Sequence, residues 1–453
     1  MEGTEASPLN KRTRFIYNTA LLTASTLLMR CIGCAFQVWL AGRIGSAGIG
    51  LYQLMGSVGG LAVTFAVSGI GFGTMRLVSE QLGLGSTIGA RKAAGKCILY
   101  ALFFGIATGV VLYSFAEPIG FLWIEDGRTV LPLRIMAPEM PFIALSAVFS
   151  GYFTACGRVG RATAAQFAQQ LLTVGLTITF LAQVPSHDIA LNCTCITLAG
   201  TLSEAAGCTL LGVLYIWDIN HQPPTGQADP HAGRHLLGIS LPLAVSAYTR
   251  SGLSTLQHML TPSGLRKAGL TAQQALSAYG IVHGMTLTVI YFPTCILQVV
   301  AQLLIPDLTD LQVNGHCRRI EYVCSRMLTL AMVYSAAVAL LLFLLAAPLA
   351  EHIYHTPEVA DYIRLLVPLV PMIFLDIVVD GCLKGLGQQL WSMGINIAES
   401  ALSVVLTWLL VPRFAINGFL FVIYFNEIFN FALSFRKLRS IINSDCQTAP
   451  RKV

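Results

Sequence analysis

Apolar stretches of about 20 residues or more, each long enough to cross a bilayer, follow one another along the whole chain with short polar or Gly/Pro breaks between them. This pattern predicts twelve helices, at residues 14–41, 51–79, 95–122, 131–156, 160–183, 189–217, 236–260, 274–305, 320–348, 358–384, 388–412 and 415–437. The longest break, residues 218–235, is polar and holds two consecutive prolines. It divides the predicted helices six and six. The expected organisation is an N-lobe at residues 1–217, a cytoplasmic linker at 218–235 and a C-lobe at 236–453.

Composition agrees with this pattern. Of 453 residues, 55% are hydrophobic and 11% charged, against roughly 25% charged in an average soluble domain, so too little charge is available to cover a globule. The expected class is an all-α polytopic membrane protein. The 12 cysteines lie mostly inside apolar stretches, which excludes a secreted disulfide framework. Cys31 and Cys34 form a CxxC in an apolar helix with no strand pattern beside it, and packing is the expected role. Lys11, Arg12 and Arg14 precede an apolar stretch too long for a signal-peptide core, so no cleaved leader is expected.

The net charge of +6 reports topology rather than nucleic-acid binding, because the basic residues sit beside the spans. With the N-terminus placed in the cytoplasm, 18 of the 28 Lys and Arg fall on that side and 7 on the other. The positive-inside rule then puts both termini in the cytoplasm. The remaining three are Arg30, Arg76 and Arg250, within spans.

The halves repeat. A shift of 230 residues carries Pro138, Pro141, Leu145, Gly151 and Gly157 onto Pro368, Pro371, Leu375, Gly381 and Gly387. A shift of 220 carries Arg30 and Gln37 onto Arg250 and Gln257. Both halves hold an even number of spans, so they form a parallel repeat about an axis along the membrane normal, as in alternating-access transporters.

The stretch from Asn18 to Leu54 and the segment SGIGFGTMRLVSEQLG (Ser68 to Gly83) resemble the stage V sporulation protein B family. These are polysaccharide-biosynthesis flippases of the multidrug/oligosaccharidyl-lipid/polysaccharide (MOP) exporter superfamily. The resemblance extends over the Pro-Gly helices 4 and 10 and the pairs Ser203-Glu204 and Asn426-Glu427. It implies a MATE-like V of two six-helix lobes around a cavity that opens alternately to each side. It also implies a cargo such as an undecaprenyl-pyrophosphate-linked oligosaccharide or a peptidoglycan precursor, moved across a bacterial cytoplasmic membrane. Many members carry fourteen helices, whereas the count here is twelve.

Arg30 and Arg250 fall near mid-span, where an arginine costs at least about 2.5–3.5 kcal/mol on insertion scales and needs water or a partner. Two readings follow from the residues. One is a basic grip on a pyrophosphate headgroup, helped by Gln37 and Gln257; the other is a structural ion pair with an acid such as Glu204 or Glu427. Asp376, Asp380 and Lys384 share a helix face, and Asp380 with Lys384 reads as a local pair. The oxygens of Asp376, Asp380, Asn396, Glu399, Asn426 and Glu427 are candidates for coupling Na⁺ or H⁺, or for plain interhelical hydrogen bonding. Glu139, between Pro138 and Pro141, either lines the cavity or marks the membrane boundary. His258 and His283 stand alone in the sequence, and the histidines of 221–235 read either as solvated or as a weak metal-binding cluster.

The resulting expectation is a lipid-linked oligosaccharide flippase without covalent catalysis or a resident cofactor, monomeric, and in contact with membrane lipids and its lipid-linked sugar. A cation-coupled multidrug exporter of the same superfamily is the alternative, although two central arginines suit an anionic cargo better. A non-transporting scaffold in envelope or spore-coat assembly is the third reading.

Overall fold

In an apolar solvent every backbone polar group must be satisfied within its own segment, which leaves the helix as the element for so apolar a chain. The computed structural model describes residues 8–185, 188–221, 223, 225, 226 and 232–448, and no strand occurs among them. Its helices are α1 (Pro8–Val67), α2 (Ile70–Gly83), α3 (Thr87–Ser114), α4 (Val130–Met136), α5 (Glu139–Ala155), α6 (Val159–Ala182) and α7 (Ile189–His221). The second half follows as α8 (Ala232–Lys267), α9 (Ala272–Tyr279), α10 (Leu287–Tyr291), α11 (Thr294–Val313), α12 (Cys317–Pro348), α13 (Glu358–Leu366), α14 (Val370–Gly385) and α15 (Gln389–Thr448).

Each of the twelve predicted spans falls on helix, but the boundaries differ. Among the described residues, eight helical stretches are long and apolar enough to cross a membrane, and a ninth forms if α4 and α5, bent by 42° at Ala137-Pro138, count as one. The number falls below twelve partly because two of these stretches, Leu27–Gly83 and Gln389–Ile442, are each long enough to cross twice. α1 is interrupted at Gly45 (φ 72°, ψ 176°), a left-handed backbone that glycine adopts without a Cβ clash, and α15 at Ala415 (φ 49°). The predicted start of the linker is also too early, since α7 continues through Asp218 to His221. Pro223, Thr225 and Gly226 then lie against the α2–α3 turn, where Thr87 Oγ1 donates to Pro223 O at 2.8 Å and Thr225 Oγ1 to Gly85 O at 2.9 Å.

The sequence repeat is reproduced in the backbone. Left-handed residues recur 230 positions apart at Gly85 and Gly315, Glu125 and His355, and Gly157 and Gly387. Both pairs of glycine turns close in the same way. Ser86 N donates to Gln81 O as His316 N does to Leu311 O, and Arg158 N to Phe153 O as Gln388 N does to Leu383 O. This is the Schellman closure of a helix C-terminus. Wide π-turns also coincide, at Ile119–Trp123 and Leu349–Tyr354.

Backbone contacts group the chain into two compact units. The first comprises residues up to Gly33 with Met55–Ser251, and the second Cys34–Leu54 with Gly252 onward. Within the first, α5 packs on α2, α3, α6 and α7; within the second, α14 packs on α11, α12 and α15. The Pro-led helix is therefore the central post of each unit, and glycine admits its neighbour. A Cβ on Gly151 would lie 2.6 Å from Gly71 O, and one on Gly381 would lie 2.8 Å from Ala301 Cβ. Gly71 and Ala301 are themselves 230 apart, so one helix crossing is built twice. Large apolar side chains such as Leu99 (71% exposed) and Val333 (65%) face outward, as a lipid-solvated surface requires.

Candidate functional site

Each unit keeps a polar cluster in the middle of its helices. In the first unit, α5 supplies Ser146 and Ser150, α6 supplies Gln166, Gln169 and Gln170, and α7 supplies Glu204. With Met29 they line a cavity of ≈ 390 Å³. Glu204 accepts a hydrogen bond from Ser146 Oγ at 2.8 Å and another from Gln169 Nε2. Glu139, at the first turn of α5, accepts from Thr201 Oγ1 at 3.4 Å and interacts electrostatically with Glu204. The first cluster is thus amide- and hydroxyl-rich, and each oxygen of its central carboxylate accepts from a neutral donor.

The second unit places acids on the corresponding surface. A cavity of ≈ 180 Å³ is lined by Gln257, His258, His283, Tyr291, Glu399, Asn426 and Glu427, among others. Tyr291 Oη donates to Glu427 Oε1 at 2.8 Å, and Asn430 Nδ2 to Glu399 Oε2 at 2.8 Å and to Asn396 Oδ1 at 3.3 Å. Asn426 Nδ2 donates to Ser403 Oγ at 2.8 Å. Asp376 on α14 lies within electrostatic reach of Glu427 and Glu399. Its Oδ1 and the Oδ1 of Asn426 are buried without a hydrogen-bond partner among the described residues. Carboxylate and amide oxygens left open in this way are the donor type a hard cation or a proton satisfies. No group of three or more His, Cys, Asp and Glu among the described residues has the geometry to hold a metal ion.

The remaining predicted residues are placed as follows. Arg30 on α1 and Arg250 on α8 both belong to the first unit; both side chains are exposed, and neither forms a hydrogen bond or ion pair with a described residue. Gln37 donates to Thr288 Oγ1 at 3.2 Å, so its amide already has a partner within the second unit. Gln257 faces the second-unit cavity. Asp380 pairs with Lys384 at 2.5 Å, the local pairing their spacing suggests, and also accepts from Ser392. Arg76 pairs with Glu80 at 3.1 Å, one turn along α2.

Several participants were not evident in the sequence. His258 and His283 do not stand alone: their rings lie 4.5 Å apart, and Tyr279 Oη is 3.0 Å from His258 Nδ1. Asn430 and Tyr291 join the acids from two different helices. The i, i+4, i+8 series Asn426, Asn430, Ser434 was the available signal for Asn430, since it marks one polar stripe on an apolar helix. Asp218, taken as a linker residue, is instead 1% exposed and paired with Arg158 and Arg161, and it accepts from Tyr152 Oη at 3.1 Å. Arg161 also lies 4.8 Å over the Trp217 ring. Among the loop histidines, His221 Nδ1 sits 2.8 Å from Trp217 O, while His231 falls outside the described residues.

Comparison with known proteins places this geometry. The model of the MatE family matches residues 22–179 and 267–409. Stage V sporulation protein B of Bacillus subtilis is 23% identical over 422 residues, covering 90% of this chain and 77% of its own. Human Multidrug and toxin extrusion protein 1 is 24% identical over 243 residues, covering 52% of this chain and 40% of its own. An inward-facing multidrug resistance MATE family transporter of the MOP superfamily superposes with a TM-score of 0.73 at 16% identity, over 94% of this chain and 96% of that one. A Pyrococcus furiosus MOP superfamily transporter, described as having a binding pocket of reverse polarity, gives 0.63 at 14%, over 95% and 96%.

Proposed function

The chain belongs to the MatE family, membrane transporters of the MOP superfamily, and from that premise we propose that it moves a lipid-linked, pyrophosphate-bearing oligosaccharide or peptidoglycan precursor across the bacterial cytoplasmic membrane by alternating access. One observation carries this reading. Arg30 and Arg250 occupy repeat-related places near mid-span, with exposed guanidinium groups and no partner among the described residues. An arginine at that depth needs an anion or water to offset its insertion cost. The guanidinium fork presents paired donors that match pyrophosphate oxygens. The glutamines and serines of the first-unit cavity add neutral donors and acceptors of the kind sugar hydroxyls accept. Nothing in this scheme calls for covalent catalysis; binding and reorientation are enough.

Coupling belongs to the second unit. Asp376, Glu399 and Glu427, with Asn396, Asn426 and Asn430 beside them, take a Na⁺ or a proton, and their occupancy biases the second unit between two arrangements of its helices. Asp380, already paired with Lys384, is a poorer candidate than its neighbour one turn away. Both termini lie in the cytoplasm and the protein acts as a monomer. A second reading, export of cationic drugs, draws on those same acids, because a carboxylate cluster suits a cationic cargo.

The two readings separate in proteoliposomes containing a fluorescent polyprenyl-pyrophosphate sugar. Arg30→Ala and Arg250→Ala each lower its translocation by about 10–100-fold, the range of a lost charge-assisted contact of ~1.5–3 kcal/mol. Full activity of both variants, or transport of a cationic dye that ignores the arginines, overturns the anionic-cargo reading.

A further inference from the structure

A third cavity, of ≈ 610 Å³, lies in the second unit apart from the carboxylate cluster, between the first half of α12 and the last turns of α15. Its walls are apolar: Leu328, Met332 and Val333 on one side, Phe431, Phe435 and Leu438 on the other. Met332 (47%) and Val333 (65%) remain well exposed, so the groove opens on the outer apolar surface of the helices. One end is polar and carries Glu321 and Arg439. Arg439 is exposed and forms no hydrogen bond or ion pair with a described residue.

Length and charge identify an occupant. From Glu321 to Val333 is twelve helical steps, or about 18 Å of axis at 1.5 Å per residue. This is a little over half of a hydrocarbon core of about 30 Å, so the groove runs through one leaflet. The two helix segments that bound its polar end hold Arg318, Arg319, Arg326, Arg436, Lys437 and Arg439 against one acid, Glu321. Arg326 bonds Tyr322 Oη at 2.6 Å and Lys437 lies 5.6 Å over Trp391, whereas Arg439 lines the groove mouth itself. Basic residues concentrated at one end of spanning helices attract anionic headgroups of the cytoplasmic leaflet.

We infer that this groove is a binding site for an anionic phospholipid, with one acyl chain lying between α12 and α15 and its headgroup phosphate against Arg439. The inference stands independently of the cargo, since none of these residues belongs to the clusters assigned to cargo or coupling. The site would tie the second unit to the anionic lipid content of its leaflet.

The test uses the full chain in phosphatidylcholine liposomes that contain phosphatidylglycerol with a diazirine midway along one acyl chain. After photolysis, the label maps to residues 321–333 and 431–442. A phosphatidylcholine probe with the same tail labels these segments about fivefold less, as does the phosphatidylglycerol probe on Arg439→Ala, the ratio for one cationic contact with an anionic surface. Met332→Trp fills the groove and abolishes labelling there; Arg439→Ala, at an exposed helix end, serves as the folded variant should Met332→Trp fail to insert. Equal labelling by the two headgroups, or labelling spread evenly over other exposed apolar segments such as that around Leu99, overturns the site. Displacement by polyprenyl phosphate but not by unlabelled phosphatidylglycerol overturns the phospholipid as occupant and assigns the groove to a prenyl tail.

Discussion

The two units share a backbone and differ in where they keep charge. At positions 230 apart, Ser146 and Gln169 of the first unit correspond to Asp376 and Glu399 of the second, and Ser150 to Asp380. Glu204 and Glu427 occupy matching places on the last helix of each half, where the offset is 223. Three half-buried carboxylates thus stand where the first unit has a serine, a glutamine and one glutamate that accepts from both. The first unit instead concentrates charge at a helix end, in Asp218 with Arg158 and Arg161. The 230-related counterparts of those arginines are Gln388 and Trp391, so the second unit has no copy of the anchor. Duplication preserved the helix crossings, and the polar positions then diverged, one set toward neutral hydrogen-bonding groups and the other toward carboxylates.

That contrast can be broken at the anchor first. Asp218→Ala leaves Tyr152 Oη without its buried acceptor and two partly exposed arginines without their shared carboxylate, at a cost of about 1.5–3 kcal/mol, the range of hydrogen bonds to a charged group. Asp380→Ala, whose pair with Lys384 is partly exposed, costs ~1 kcal/mol or less. Thermal unfolding in detergent, followed by the accessibility of buried cysteines such as Cys97 and Cys208, ranks the two. Comparable shifts would mean that the first unit's anchor is not special.

Next, the neutral cluster can be converted into the acidic one. Ser146→Asp with Gln169→Glu adds two carboxylates beside Glu204 with no cation supplied, and each is expected to cost about 2.5 kcal/mol or more in the membrane. The double variant should insert poorly, and raised Na⁺ or lowered pH should restore its yield. Normal yield without either would show that the first unit tolerates charge as the second does.

Smaller still is the effect on packing. Gly151→Ala and Gly381→Ala each place a methyl group under 3 Å from a neighbour, and overpacking of that kind costs about 1–3 kcal/mol. Similar losses in melting temperature for the two support a crossing built twice; a loss confined to one would separate the units in packing as well as in charge.

The sequence carried the architecture well because its signals are local. Apolar length gives the spans, and P-x2-P-x9-G-x5-G carries the repeat, since proline fixes where the post begins and glycine where its neighbour crosses. Helix boundaries were less legible. The breaks at Gly45 and Ala415 do fall in or beside the gaps that the apolar pattern leaves at 42–50 and 413–414, but α7 carries Asp218 beyond the apolar run because two arginines on other segments balance it. For the sites, polar residues inside spans were visible one at a time, but their partners were not. Gln37 meets Thr288 across 251 residues of sequence, and Tyr291 meets Glu427 across 136. His258 and His283 looked solitary because their contact comes from two helices folding together, with His283 on a π-turn that a 3.6-residue period does not anticipate.

The division of labour between the units is tested most directly by transport of the polyprenyl-pyrophosphate sugar in proteoliposomes under an imposed Na⁺ or pH gradient, with Asp376→Asn, Glu427→Gln and Glu204→Gln compared side by side. The second-unit variants should lose the gradient's effect, a change of about 10–100-fold for a coupling energy of ~1.4–2.8 kcal/mol, while Glu204→Gln keeps it. Loss of gradient dependence in Glu204→Gln, with Asp376→Asn and Glu427→Gln still driven, would contradict that division.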